Sequence, residues 1–405
     1  MVAAATLLAK GDRAEQTVAQ EAAVGHVYAL VSWEFSNFPD KWLHRIYTAL
    51  PWSNTSGAAR KADLDRYIKL VGELRTARGE LERVSADSTR AGLDAAAKQA
   101  EVDRLVKERD RLRNSVEEYL ESLLGGVVDR QGLGAGFLTW PPVDFRQDQP
   151  PHVLITSPRH RIEREDTVLI RPETAVANME RIENRLMEQH NLSALVEATG
   201  GLSTYPTVVP SSYDLLSLLE VAAHEWLHSH LFFHPLGQHY WDSGDMTRLN
   251  ETLADMAGRE LGGMVYEEIT GKPAPEAGPP RDASATSPAK AGEFDFFSFM
   301  RETRQRADEL LKAGDVEGAE GYMEGRRISL NSHGYAVRKI NQAYFAFHGS
   351  YGESPSSVSP IAREIYELRR LSGSPGELVR TMRGISTYVQ FREVLASMRA
   401  AAGGS

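Results

Sequence analysis

Residues 221–234 read VAAHEWLHSHLFFH, a run in which four histidines and one glutamate stand among apolar side chains. Because leucine, valine and alanine fill most of the preceding turns as well, the pattern predicts a buried helix. We expect this helix to begin at Ser211 or Ser212 and to end before Pro235, since serine caps helix N-termini and proline interrupts helices. Burying imidazoles and a carboxylate is costly unless a partner compensates, which favours a metal ion.

The spacing of the first two histidines indicates how a metal would be held. His224 and His228 are four residues apart, so their imidazoles leave the same face of the helix one turn apart. Two imidazoles in this arrangement can bind one tetrahedral Zn²⁺. Glu225 stands where its carboxylate reaches a metal-bound water rather than the metal, and zinc lowers the pKa of that water to about 7. HEWLH therefore has the His-Glu-x-x-His pattern, with Glu225 as the candidate general base.

Two residues compete to be the third ligand. Glu251, in the segment LNETLADMAG, shares a helix face with Asp255. On an antiparallel neighbouring helix Glu251 would bind zinc, while Asp255 would accept the free N–H of a ligand histidine. His234 is the alternative, because it follows His228 by six residues, as in the metzincins. The metzincin motif has glycine at the position of Leu231, and a helix that continues through leucine would carry His234 away from the metal.

Two segments, HEWLH at 224–228 and NETLADMAG at 250–258, resemble the gluzincin zinc peptidases, the clan of thermolysin and related aminopeptidases. In that clan a second helix carries Asn-Glu-x-x-x-Asp. The loop between the two segments is longer here than in those families, and the aminopeptidase Gly-x-Met-Glu-Asn motif is missing, so recognition of a free N-terminus is not implied. The resemblance implies one Zn²⁺ per chain and assigns a role to each matched residue: ligands His224, His228 and Glu251, base Glu225, and the positioning residue Asp255.

Gluzincins also present a histidine or tyrosine to the negative charge that develops on the carbonyl oxygen. The segment NSHGYAVRKINQAYF at 331–345 faintly resembles the thermolysin stretch that carries this histidine. The resemblance implies His333 or Tyr335 as the donor. The run Tyr205–Val209 suits a β-strand, and we expect it to be an edge that pairs with a peptide backbone.

Composition limits the function classes. The 405-residue chain is 41% hydrophobic and 25% charged, which is typical of a globular protein. A net charge of −10 argues against a nucleic-acid partner. With no cysteine, the chain has neither a thiolate metal site nor a disulfide, so histidines and carboxylates must hold any metal.

The cellular compartment stays open. Residues 1–9 are uncharged and would suit the end of a truncated membrane anchor or an apolar helix start. Membrane association through a missing N-terminal anchor, an extracytoplasmic location of bacterial type and a cytoplasmic location all remain alternatives.

The periodicity along the chain predicts an α+β, mainly helical fold: a gluzincin-like catalytic core with a small sheet, a helical C-terminal lobe and a helical-hairpin arm. Within the core, VLIT and TVLI flank a charged turn and predict a β-hairpin, and a second helix is expected at 246–262 with Asp245 as its cap. We expect five segments: a helical segment at 1–57, a hairpin or coiled-coil arm at 58–124, a zinc-binding catalytic domain at 125–270, a linker or loop at 271–292, and a helical domain at 293–405.

The sequence as a whole predicts a zinc-dependent metallohydrolase that cleaves peptides or proteins. The alternatives are a zinc-binding scaffold with a catalytically silent site and a metzincin-like peptidase that uses His234. The arm suggests oligomerisation or partner binding as an additional role.

Overall fold

The computed structural model describes residues 16–31, 33, 57–86, 93–134, 139–275, 294–351, 354, 356–357 and 359–403. Helices dominate these residues and the strands form two small sheets, so the mainly helical α+β class is confirmed. The apolar start at 1–9, the greater part of the segment 1–57 and most of the linker at 271–292 lie outside the described residues.

The secondary structure follows the chain in this order. The strands are β1 (Phe145–Asp148), β2 (His152–Pro158), β3 (Asp166–Ile170), β4 (Leu192–Ala198) and β5 (Thr207–Pro210). The helices are α1 (Val18–Ala22), α2 (Gly57–Ala86), α3 (Leu93–Arg130), α4 (Val176–His190), α5 (Leu215–Leu231), α6 (Pro235–Gln238), α7 (Gly244–Thr270), α8 (Phe296–Lys312), α9 (Val316–Ser332), α10 (Gln342–His348), α11 (Ile361–Leu371), α12 (Pro375–Met382) and α13 (Tyr388–Gly403). Among these helices, none is both long enough and apolar enough to cross a lipid bilayer.

The larger sheet has the strand order β3-β2-β4 with antiparallel pairing throughout, which confirms the predicted β2–β3 hairpin. Successive side chains of a strand point to opposite faces. Val153 and Ile155 pack into a core shared with α8–α10, whereas Leu154 packs into a core shared with α1 and α4. Because helices cover both faces of the sheet, β2 is apolar at consecutive positions instead of alternating.

The smaller sheet pairs β1 with β5 in parallel. On the other side of β5, Leu202 and Val208 exchange backbone hydrogen bonds of 3.0 Å in both directions. The strand predicted at Tyr205–Val209 is therefore present as β5, but it has backbone partners on both sides. The contact with Leu202 is an isolated bridge at Val208, and the pairing of β5 with a peptide backbone stays a prediction.

Helices α2 and α3 pack against each other as an antiparallel pair. Ser115 donates a hydrogen bond to Asp63 near one end, and Lys98 forms an ion pair with Glu80 near the other. Between these points a small apolar core holds the helices together, and nearer the body of the protein the pair joins the main core. The residues of the small core are Leu70, Leu74, Ala77, Val102 and Leu105.

The main core forms around α5 and α7, which pack side by side and are covered by α3 and α11–α13. The predicted C-terminal helical domain at 293–405 contributes to two different cores. Its first three helices, α8–α10, pack on β2 and β4, while its last three, α11–α13, pack around α7. The helices of this C-terminal segment therefore contact both the larger sheet and the α5–α7 pair.

Candidate metal centre

Helix α5 carries the histidines that the sequence singled out. Its N-cap is Asp214, whose carboxylate accepts a hydrogen bond of 3.0 Å from the backbone N–H of Ser217, and the helix ends at Leu231. It begins later than predicted because an ionised aspartate at the cap also compensates the helix dipole. Apolar side chains surround α5, so the helix runs through the core with His228 and Glu225 buried.

Helix α7 lies antiparallel to α5 at unusually short range. A Cβ atom added to Gly258 would lie 2.9 Å from the backbone N and Cα of His224, and one added to Gly262 would lie 2.6 Å from the backbone N of Glu220. Any larger residue at these two positions would separate the helices. The close approach lets the short side chain of Asp255 and the carboxylate of Glu251 reach the imidazoles of α5.

Three ligand atoms converge between the two helices. The Nε2 atoms of His224 and His228 are 3.0 Å apart. Oε2 of Glu251 lies 3.5 Å from Nε2 of His228 and 3.7 Å from Nε2 of His224. Ligands at about 2 Å from a tetrahedral zinc ion lie about 3.3 Å from one another, so the observed triangle has the size that Zn²⁺ requires.

Neighbouring groups fix the tautomer of each ring. Nδ1 of His224 lies 3.0 Å from Oδ1 of Asp255, and Nδ1 of His228 lies 2.8 Å from Oδ1 of Asn250. Carboxylate and amide oxygens accept hydrogen bonds, so each Nδ1–H is the donor, and a ring that carries no proton on Nε2 directs a lone pair from that atom. Oε2 of Glu251 is buried and accepts no hydrogen bond within the described part of the chain. Two lone pairs and one carboxylate oxygen therefore point at a common centre, which fits a divalent cation.

A buried tyrosine holds the other oxygen of Glu251. Tyr240 lies in the loop between α6 and α7, and its hydroxyl donates a hydrogen bond to Oε1 of Glu251. Burial and the adjacent carboxylate raise the pKa of Tyr240 well above its usual value, so the hydroxyl stays a donor. Glu251 is thereby oriented with Oε2 toward the imidazoles. The sequence pattern did not single out Tyr240, which owes its position to tertiary packing, and it included Asn250 in the Asn-Glu-x-x-x-Asp match without assigning it a role.

The electrostatics of the cluster favour positive charge. Burial lowers the pKa of His224, but Asp255, Glu225 and Glu251 more than offset it and bring that pKa to about 9. Burial raises the pKa of Glu251, yet the two imidazoles and Tyr240 bring it down to about 2. Carboxylates that favour a proton on His224 favour a divalent cation at the same point.

Glu225 lies beside this centre. Ligand atoms of His224, Glu225 and His228 all lie within 4.8 Å of one another. Burial is the main reason that the pKa of Glu225 is raised above its ordinary value. A Cβ atom added to Gly201 would lie 2.6 Å from Oε1 of Glu225, so the glycine leaves the space that this carboxylate fills. Ser203 also anchors the backbone here, because its hydroxyl donates to the carbonyl of Glu225 at 3.1 Å.

A cavity of about 430 Å³ opens onto the cluster. Its walls come from β2, β3, the segment after β4, the helices α5 and α7, and the end of α10. Besides the candidate ligands and Glu225, the polar groups in its walls include Arg164, His348 and Tyr351. The volume accommodates a few residues of a peptide, since ligand sites of this kind measure roughly 300 to 1,000 Å³.

The structure does not bring every predicted residue to this cavity. His333 stacks on Phe294 with ring centroids 4.1 Å apart, and Tyr335 stacks on Phe296 at 4.8 Å. Neither residue lines the cavity, so the sequence-based choice of His333 or Tyr335 as the donor to the developing charge is not supported.

His234 also lies away from the cavity walls. It is the N-cap of α6, and its ring lies 4.8 Å from that of His230 between centroids. The structure therefore places Glu251, and not His234, beside the paired imidazoles. This is the arrangement expected from the gluzincin resemblance and not the one expected from the metzincin spacing.

Comparison with known proteins adds no relative: no family model, no curated protein and no solved structure matches this chain.

Proposed function

We propose that this chain is a zinc-dependent peptidase of gluzincin type, with His224, His228 and Glu251 as the ligands of one Zn²⁺. The observation that carries the proposal is the triangle formed by two imidazole Nε2 atoms and Oε2 of Glu251, with sides of 3.0, 3.5 and 3.7 Å, at the floor of an open cavity. The rings keep this arrangement because Asp255 and Asn250 hold their Nδ1–H groups.

The reaction that suits this arrangement is hydrolysis of a peptide bond. A bound Zn²⁺ would polarise the carbonyl of the substrate and make water acidic enough to be deprotonated near neutral pH. Glu225, whose carboxylate lies within 4.8 Å of the ligand atoms of both imidazoles, would take up that proton and pass it to the leaving amine. Its buried position raises the pKa of its carboxyl, which brings the carboxyl closer to the range suited to both steps.

Tyr351 is the best candidate in the described residues for the donor that stabilises negative charge on the carbonyl oxygen. Its side chain lines the cavity, and burial together with Glu251 and Tyr240 raises its pKa well above the usual value, so the hydroxyl remains protonated. His348 also lines the cavity; burial and Arg164 lower its pKa to about 4, so its ring is neutral at pH 7 and offers one N–H as an alternative donor. A neutral hydroxyl donor aimed at developing charge is the arrangement that such catalysis needs.

The helical pair α2–α3 is an accessory in this proposal, a coiled-coil arm used for oligomerisation or partner binding. Charged side chains cover much of its outer surface and form ion pairs along it, such as Lys61 with Asp65 and Lys69 with Glu73. Light scattering on the full chain would measure the oligomeric state.

The main competing function is a scaffold whose zinc site is catalytically silent. A site that is only structural has all its coordination positions closed by the protein and no use for a carboxylate beside an open one. Here Glu225 and a cavity of about 430 Å³ adjoin the three candidate ligands, which favours catalysis.

The deciding experiment compares the wild-type protein with Glu225→Gln on unfolded protein substrates, with and without a chelator. We expect cleavage by the wild-type protein that the chelator abolishes and added zinc restores. Glu225→Gln should bind zinc as well as the wild-type protein but lose activity by a factor of about 100 or more. A variant that retains both zinc and full activity would exclude this mechanism.

A further inference from the structure

Arg164, in the turn between β2 and β3, forms part of the cavity wall. Its guanidinium carbon lies 5.8 Å from the ring centroid of Trp241 and 5.6 Å from that of Phe347. One of its N–H groups donates a 2.9 Å hydrogen bond to the hydroxyl of Ser350. Two aromatic rings and a hydroxyl therefore hold the charged group in a fixed position.

Arg164 differs from its neighbours in lacking an acidic partner. Arg159 forms an ion pair with Glu320, and Arg161 forms one with Glu163. Within the described ranges of the chain, no carboxylate lies within ion-pair distance of Arg164, and its Nε atom is buried without a hydrogen-bond acceptor. A guanidinium that is partly removed from water and has no counter-ion carries a desolvation cost that an anionic ligand would offset.

The position of Arg164 relative to the candidate metal centre is set by Tyr240. The tyrosine hydroxyl interacts with the guanidinium of Arg164 and donates to Oε1 of Glu251. Arg164, Tyr240 and Glu251 all lie in the wall of one cavity of about 430 Å³, and a compact cavity of that volume is roughly 9 Å across. Since an extended peptide spans about 3.4 Å per residue, a group bound to Arg164 belongs to a residue next to the cleaved bond or one further along.

We propose that Arg164 binds a carboxylate of the substrate, one or two residues from the bond that is cleaved. This inference rests on the proposed peptidase function and names its substrate class: peptides with an acidic group at that position. The planar guanidinium offers paired N–H donors whose spacing matches the two oxygens of a carboxylate. The carboxylate comes either from an aspartate or glutamate side chain or from the C-terminus of a peptide that ends there.

The test uses matched peptides derived from one that the wild-type protein cleaves. In the first pair, the two residues before the cleaved bond and the two residues after it are changed one at a time. At each of these positions one peptide carries glutamate and the other carries glutamine. In the second pair, the peptide ends two residues beyond the bond as a free acid or as an amide. The proteins are the wild type, Arg164→Gln, Arg164→Lys and the control Arg161→Gln, which alters an exposed arginine of the same turn.

We expect the wild-type protein to prefer one acidic member by about 10- to 100-fold in kcat/KM, the range for a charge-assisted hydrogen bond. Arg164→Gln should abolish the preference mainly by raising KM for the acidic peptide, while Arg164→Lys retains part of it and Arg161→Gln retains all of it. A preference in the first pair identifies a side-chain carboxylate, and one in the second pair identifies the C-terminus. An equal rate for acidic and neutral peptides in the wild-type protein would overturn the proposal.

A binding measurement keeps this inference separate from the peptidase proposal. Isothermal titration calorimetry of the same peptides with zinc-loaded Glu225→Gln measures their affinity without cleavage. If the acidic peptide binds more tightly than the neutral one, and this difference is lost in the double variant Glu225→Gln with Arg164→Gln, the role of Arg164 is supported even if no peptide is hydrolysed. Equal binding of acidic and neutral peptides contradicts that role whether or not the wild-type protein is a peptidase.

Discussion

The Nε2 atoms of His224 and His228 lie 3.0 Å apart, although each ring gives its Nδ1–H to an acceptor on α7. Two imidazoles without a proton on Nε2 would face each other with lone pairs, so a positive charge is needed at this point, either a metal ion between the rings or, because the pKa of His224 is about 9, a proton on that ring. The acceptors Asp255 and Asn250 are therefore as important to the proposed site as the ligands, because they decide which nitrogen of each ring is available.

Removing either acceptor should weaken zinc binding without removing a ligand. For Asp255→Ala and Asn250→Ala we expect zinc affinity to fall by about 10- to 100-fold, because the ligand rings lose their fixed tautomer and orientation. Competition with a metal indicator measures the affinity. Asp245→Ala is the control, since Asp245 lies in the first turn of the same helix, pairs with Arg248 and does not line the cavity. Unchanged affinity in both acceptor variants would contradict the assigned roles.

Gly201 provides a way to disturb Glu225 without touching a ligand. In Gly201→Ala the new Cβ would lie 2.6 Å from Oε1 of Glu225 and displace its carboxylate. We expect kcat to fall by about 100-fold, the usual cost of a misplacement of about 1 Å, with zinc content unchanged. In the adjacent control Gly200→Ala, the nearest atom would be the Tyr213 hydroxyl at 3.8 Å, so its activity should stay near that of the wild type. Equal activities of the two variants would show that Glu225 is not constrained at this contact.

Variants of Tyr351 and Tyr335 test which of two residues is the hydrogen-bond donor to the carbonyl oxygen. The structure favours Tyr351, and the sequence pattern indicated Tyr335 or His333. Tyr351→Phe removes one hydroxyl from the cavity, and we expect kcat to fall by about 100- to 1,000-fold with little change in zinc affinity. Tyr335→Phe should have no effect, because Tyr335 is partly exposed and stacks on Phe296. A loss of kcat in Tyr335→Phe with none in Tyr351→Phe would contradict this assignment and indicate that the donor lies in the segment at 331–345.

The close packing of α5 and α7 predicts an effect on stability. Gly258→Ala would place a Cβ 2.9 Å from the backbone of His224, and we expect overpacking to lower the free energy of unfolding by about 1 to 3 kcal/mol. Gly325→Ala is a matched control within a helix, since its Cβ would meet no atom within 4 Å. It should raise stability by about 0.5 to 1 kcal/mol through helix propensity alone. Urea unfolding measures both, and a neutral Gly258→Ala would mean that the helices can separate at no cost.

The sequence predicted the parts of the site that follow from helical spacing. His224, Glu225 and His228 share α5, and Glu251 and Asp255 share α7, so periodicity alone placed each group on one face of its helix. Tyr240 and Arg164 could not be predicted in the same way. Each lies at the site because of how loops and helices pack, and nothing in the local sequence around them records that packing.

Secondary structure was least predictable where two elements meet without a turn signal. Strand β4 was not predicted, because α4 ends at His190 and the strand begins at Leu192, with only Asn191 between them. Asn191 makes the change of direction with a φ of 54°, a conformation for which glycine is the usual signal. Helix α7 likewise begins at the cap Ser243 and not at Asp245, since both residues are good caps and only the path of the chain selects one.

The central claim is that Glu251 joins two imidazoles of α5 in holding one metal ion, and the zinc content of ligand variants tests it most directly. After metal removal and reloading with equimolar Zn²⁺, mass spectrometry of the native protein should show one zinc per wild-type chain. The same measurement should show almost none in Glu251→Ala and a full complement in His234→Ala. A wild-type chain that binds no zinc, or a Glu251→Ala variant that retains zinc while His234→Ala loses it, would contradict the claim.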